Sequence, residues 1–100
     1  MKMYILIKND LAVGHSVLAA AHASLACYLK FQNDERMRQW VSGVFYKVVC
    51  VVSPEEFERA KEVEDNVVMT ESSLGGAEVA VAFCPREEWP KMFRFLRLLK

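Results

Sequence analysis

What this chain lacks already narrows what it can be. It carries no excess charge, because 13 Lys and Arg residues balance 13 Asp and Glu residues. A uniformly basic binder of nucleic acid or anionic membrane is thereby excluded, although a local basic patch is not. No C-x-x-C pair occurs among Cys27, Cys50 and Cys84, an odd set in which each cysteine sits within an apolar segment. That pattern predicts buried free thiols in a reducing compartment and argues against a disulfide framework. No apolar run approaches the roughly 18 residues needed to cross a bilayer. The start of the chain passes directly from Met1-Lys2 into a short strand-like run, too short for a signal peptide. Repeats, linkers and low-complexity tracts are missing. So are metal-ligand spacings, a nucleotide-binding glycine motif and a serine-hydrolase elbow. The expectation is a cytoplasmic chain with no cofactor, no metal and no membrane partner.

What is present is a folded chain of 100 residues, 53% of them hydrophobic. That size supports one core, read here as a single domain over residues 1–100. The run "MYILIK" (3–8) predicts a strand buried on both faces. Asn9, Asp10 and Gly14 break it, and an alanine-rich segment without Gly or Pro predicts a helix over 15–31. A short second helix over 34–42 should stop at Gly43. "FYKVVCVV" (45–52) reads as a second strand. Ser53, Pro54 and Glu56 then spell an N-cap, a first-turn proline and a capping box, predicting a helix to about residue 64. "NVVM" (66–69) and "AEVAVAF" (77–83) read as further strands around the turn-rich "TESSLGG", and Pro90 predicts a last helix reaching Leu99. The fold class expected is α/β: a three-layer α/β/α arrangement on a mixed, mainly parallel four-stranded sheet.

Both histidines, His15 and His22, lie on the alanine-rich segment, seven residues apart and so on one side of a helix. His15, near the helix start and the end of the first strand, suits a general base, because open α/β sheets place ligands at that edge. His22 is expected to pack partly buried on the alanine face, with a substrate contact as the alternative. Lys8 and Asp10 share the same edge. Asp10 could orient His15 and Lys8 could meet a phosphate, although turn formation alone explains an aspartate there. In the last predicted helix Lys91, Arg94 and Arg97 form a basic stripe, either a solvated face or a contact for RNA.

Taken together, "YILIKNDLAVG", the Ala19-Ala20 helix, Trp40, "YKVVCVVSPEEFERA" and the closing "LRLL" resemble the type II, archaeal and eukaryotic, peptidyl-tRNA hydrolases. The frame Lys8, Asp10-Leu11, Gly14, Ala19-Ala20 carries most of the likeness. The resemblance implies hydrolysis of the ester joining a peptide to tRNA, with tRNA as partner and a homodimer as a common state. It also exposes departures. Val17 occupies the position of a lysine held to be functional in the family, Ala21 replaces a glutamine, and Ser24 stands where the family has a helix histidine. The family's Asp-Ala-Gly-x-Thr loop corresponds to "VMTESSLGG", which has no aspartate; Glu71 is its nearest carboxylate and Thr70 or Ser72 its nearest hydroxyl. The candidate catalytic set is therefore His15, Asp10 and Glu71, with Lys8, Thr70, Ser72, Ser73 and His22 as substrate contacts. The alternative is a non-catalytic homologue of the same fold that binds a protein or small-molecule partner.

Overall fold

The computed structural model describes all 100 residues. In chain order the elements are β1 (Met3–Lys8), α1 (Val13–Phe31), α2 (Glu35–Ser42), β2 (Lys47–Val52), α3 (Pro54–Lys61), β3 (Asn66–Glu71), β4 (Ala77–Phe83) and β5 (Arg97–Leu98). Two 3-10 turns, Ser72–Leu74 and Lys91–Phe95, complete them.

The sheet has five strands in the order β3-β4-β1-β2-β5. Only β1 and β2 run parallel; β1–β4, β3–β4 and β2–β5 are antiparallel. The expectation of four strands, mainly parallel, is therefore corrected to five strands, mainly antiparallel. The hairpin between β3 and β4 forces one antiparallel pair. Residues near the end of the sequence supply the one strand that was not expected, β5. Instead of continuing as a helix to Leu99, the segment after Pro90 makes one 3-10 turn, buries Phe93, and extends along the outer edge of β2, pairing Leu98 with Cys50 and Arg97 with Val51. Backbone hydrogen bonds to an otherwise open edge outweigh local helix propensity here. The stripe of Lys91, Arg94 and Arg97 consequently does not exist as one helical face.

Side chains alternate strictly along β1. Met3, Ile5 and Ile7 join the cluster under α1 and α2, with Ala19, Ala23, Cys27, Met37 and Trp40. Tyr4 and Leu6 join the opposite cluster, with Phe57 and Ala60 of α3 and Phe93. The helices thus cover both faces of the sheet. The α1 residues that reach the sheet are small (Ser16, Ala19, Ala23 and Cys27), so the helix backbone packs close to β1, β3 and β4. All three cysteines are free and buried. Burial pushes the Cys27 thiol up to about 12 and the Cys84 thiol up to about 11, which makes them packing groups and not nucleophiles.

Two helices are fixed by local chemistry. Ser53 Oγ accepts from the Glu56 N–H at 3.2 Å, and Glu56 accepts from the Ser53 N–H at 2.8 Å, closing the expected capping box of α3. Asp34 caps α2, accepting from the Arg36 N–H at 2.9 Å and from its guanidinium, which also bridges to Asp65 at 3.0 Å. By contrast α1 has Ala12 at its N-cap and no side-chain cap at all.

Candidate active site

β1 and β2 run parallel, so their C-terminal ends lie at one sheet edge, where the Asn9 N–H donates to the Val52 carbonyl at 3.0 Å. The antiparallel register Ile7↔Ala80 brings the start of β4, and with it the β3–β4 hairpin tip, to that edge. Two chain segments therefore meet near the start of α1: the β1–α1 turn and the hairpin tip.

The hairpin tip has a geometry that its sequence dictates. Gly75 and Gly76 have φ of +68° and +79°, values at which a side chain would be strained. Their N–H groups donate to the Ser72 carbonyl at 3.1 Å and the Glu71 carbonyl at 3.0 Å. The glycines are thus committed to holding the turn and do not supply free donors to a substrate. What they hold in place is a connected polar group. Ser73 donates to Glu71 Oε2 twice, from its hydroxyl at 2.9 Å and its N–H at 3.1 Å. Ser73 Oγ also lies 3.3 Å from His15 Nε2 across the gap to α1.

Proton counting assigns roles within this chain. A serine hydroxyl has one proton, and the shorter contact gives it to Glu71. With that proton committed, the Ser73 oxygen is free to accept from His15 in the tautomer that carries its proton on Nε2. In that tautomer His15 Nε2 is the donor of the contact and Glu71 the acceptor at its other end. The two Ser73 hydrogen bonds, backbone first, hold the Glu71 carboxyl below its usual range, and the charges of His15 and His22 add to the effect.

The remaining candidates fall elsewhere. Lys8 follows the alternation of β1 to the α3 face, where its ammonium lies 4.6 Å from the centroid of the Phe57 ring. It is on the opposite face of the sheet from His15. Asp10 is exposed in the β1–α1 turn and makes no hydrogen bond or ion pair with His15. Thr70 and Ser72 are exposed on the hairpin beside the Glu71–Ser73 pair without joining it. His22 is exposed, contrary to the expected packing against the alanine face, because the helical turn puts Ala19 and Ala23, not His22, against the sheet. It lies on the same flank as His15. No three His, Cys, Asp or Glu side chains converge as the ligands of a metal would.

The other flank of α1 was not anticipated as a distinct surface. Val17, 63% exposed, lines a concavity of about 370 Å³ with Leu11, Val13 and Leu99. Farther along, Leu25 and Tyr28 line a second concavity of about 270 Å³ with Trp40, Val41, Phe45 and Lys47. The signal in the sequence was the absence of any Asp, Glu, Lys or Arg between Asp10 and Lys30.

No curated protein matches the chain. A family model does: that of Peptidyl-tRNA hydrolase PTH2 matches residues 1–74, from β1 through the 3-10 turn at the hairpin tip. The matched span contains α1 and the His15–Ser73–Glu71 group, and it covers well over half of the sequence. The chain belongs to the peptidyl-tRNA hydrolase PTH2 family.

Proposed function

We propose that this chain hydrolyses the ester between a peptide and the terminal ribose of tRNA, at the corner where the β3–β4 hairpin crosses the start of α1. The observation that supports it is the continuous hydrogen-bonded path His15–Ser73–Glu71, which spans 58 residues of sequence between His15 and Ser73. Family membership supplies the substrate class. Ester hydrolysis needs a proton acceptor for the attacking water, a group that positions it, and a donor for the developing oxyanion. Glu71 is the acceptor, Ser73 positions the water through its hydroxyl, and the protonated His15 Nε2 donates to the carbonyl oxygen. Water oxygen bonds to the ester carbon while its proton passes to Glu71. The tetrahedral adduct then expels the ribose hydroxyl, which takes that proton back, leaving a free peptide acid and tRNA. Thr70, Ser72 and His22 flank this path as substrate contacts. Asp10 and Lys8 lie outside it and contribute at most to the approach of phosphates along the same sheet edge.

The lysine position of the family is valine here, which favours a second outcome: a homologue that keeps the fold and binds another partner without catalysis. A release assay on peptidyl-tRNA separates the two. The native chain should turn over, and His15→Ala and Glu71→Gln should each lose activity. Turnover no faster than buffer for the native chain would leave only the non-catalytic outcome. Activity that survives both substitutions would place the chemistry elsewhere on the molecule.

A further inference from the structure

β3 lies at one margin of the sheet, with β4 on its inner side and no strand on its outer side. At the start of β3 the Cys84 N–H donates to the Asp65 carbonyl at 2.9 Å, and at its end the Gly76 N–H donates to the Glu71 carbonyl at 3.0 Å. Both ends agree that the odd-numbered residues turn their backbone groups inward to β4. Successive residues of a strand alternate in this, so Asn66, Val68 and Thr70 present N–H and C=O outward. The Asn66 carbonyl is closed off by the Lys30 ammonium at 2.7 Å. No hydrogen bond from outside the β3–β4 ladder reaches the backbone groups of Val68 and Thr70. Open edges are normally blunted by brevity, proline or charge. β5, at the opposite margin, is blunted, since it has two residues and one of them is Arg97. β3 has six residues, Asn-Val-Val-Met-Thr-Glu, with neither proline nor lysine.

α1 forms a wall beside this edge. Lys30 meets Asn66 and His15 meets Ser73, so the helix runs the length of β3 in the opposite direction. Between those two ties the same helix flank carries Leu18, His22 and Leu29, all exposed. Alternation turns Val67, Met69 and Glu71 to the α1 side of the strand. The result is a ledge with main-chain donors and acceptors along one side and a largely apolar wall along the other. It is closed at one end by Lys30 and opens at the other onto Glu71.

We propose that an extended peptide adds to the outer edge of β3 as a further strand, and that the peptide half of the peptidyl ester is held in this way. The direction of the peptide rests on the hydrolytic reading of the Glu71 corner: with its ester there, the peptide runs parallel to β3. Lys30 closes the ledge at Asn66, so about the last three or four residues before the ester are held. Main-chain pairing supplies the affinity, so peptides of different sequence bind alike. An unreactive probe, a blocked tetrapeptide amide of alternating Thr and Val, tests the edge by NMR titration of the nitrogen-labelled chain up to about 10 mM peptide. The Val68 and Thr70 amide signals should shift most. N-methylation of the probe at every second amide should weaken binding about tenfold in one phase and leave it unchanged in the other, because only alternate amides of an added strand face β3. Val68→Pro removes one outward N–H where an edge strand tolerates proline, and should weaken binding to a similar degree at unchanged circular dichroism. Should that variant fail to fold, the N-methylated probes on the native chain decide. Absence of any β3 shift over the range overturns the proposal, as does N-methylation that weakens both phases equally. β3 shifts that follow protein concentration instead of peptide, the mark of two copies pairing edge to edge, overturn it too. Peptide binding without turnover would retire the hydrolytic reading alone, and turnover without edge binding would retire this proposal alone.

Discussion

The two flanks of α1 show how differently one helix can be used. On one side His15 meets Ser73 and Glu71 of the hairpin, and the surface is polar and hydrogen-bonded. On the other, Val17 and Val13 line a concavity with Leu99, and nothing there can donate or accept a proton by side chain except Ser16 and the terminal Lys100. Both flanks belong to the same apolar, uncapped helix. The difference arises from what crosses each flank. A hairpin tip with a serine and a glutamate approaches one side, and the end of the chain approaches the other. The proposed proton transfer therefore rests on a junction between elements and not on the helix alone.

The strongest way to break this contrast is to remove the proton acceptor on the polar flank. Glu71→Gln should lower peptidyl-tRNA hydrolysis by about 10²-fold or more while thermal unfolding stays unchanged, since general acid–base groups contribute on the order of 10²–10⁴. A parallel loss of melting temperature would reassign Glu71 to the structure of the turn. The pH profile sharpens the same point. Glu71 must be ionised to accept a proton, and its carboxyl is held below its ordinary 4.5. It stays ionised until the pH falls through that lowered value, so the acid limb of kcat/KM should lie below pH 4.5 for as long as the protein stays folded. An acid limb above it that survives in Glu71→Gln would belong to another group.

The buried face that both flanks share comes next. Ala23 is fully buried in the cluster with Ile5, Ile7 and Ala82. Ala23→Leu should destabilise by about 1–3 kcal/mol through overpacking, read by urea denaturation. A neutral result would mean that the sheet yields to a larger helix side chain. A smaller effect contrasts the uncapped α1 with the capped α2. Asp34→Asn weakens a cap and the ion pair with Arg36, with an expected cost of about 1 kcal/mol at neutral pH. The Arg36 guanidinium beside Asp34 holds its carboxyl at about 2, against an ordinary 3.8. A lowered carboxylate stabilises the fold above its unfolded value and loses that contribution as pH falls through the folded one. The two proteins should therefore converge in stability between pH 4 and pH 2. A difference that persists at pH 2 would show that the carboxylate charge is not the source. The smallest effect is expected at His22, exposed and without a hydrogen bond. His22→Ala should change stability by less than about 0.5 kcal/mol and, unlike His15→Ala, should spare most of the hydrolytic activity. Equal losses from the two histidines would restore them as a functional pair.

Elements with local signatures were legible in the sequence. Ser53, Pro54 and Glu56 marked the start of α3 to the residue, the β1 run was bounded correctly, and the strand at 77–83 stands as read. The Asp-Leu, Gly and Ala-Ala frame carried the family. What could not be read were properties of pairing. Strand direction depends on how a connection returns, and all five strands take part in antiparallel contacts. Residues 90–99 look helical by composition, and only the unfilled edge of β2 makes Arg97 and Leu98 a strand.

The candidate site divides in the same way. Seven-residue spacing places His15 and His22 on one flank of a helix, because side-chain direction along a helix is set by backbone geometry alone. Which of them meets a partner is settled by the hairpin, whose φ-positive glycines aim Ser73 at His15 and leave His22 in solvent. Likewise Lys8 and Asp10 stand two residues apart at one strand end, yet alternation turns Lys8 to the α3 face. The sequence by itself determined which residues share a strand, a turn or a helix flank, since those relations follow from local periodicity. Only the tertiary structure decided that Glu71, Ser73 and His15 form one hydrogen-bonded path, since that contact joins segments 58 residues apart and exists only once the sheet has set their register.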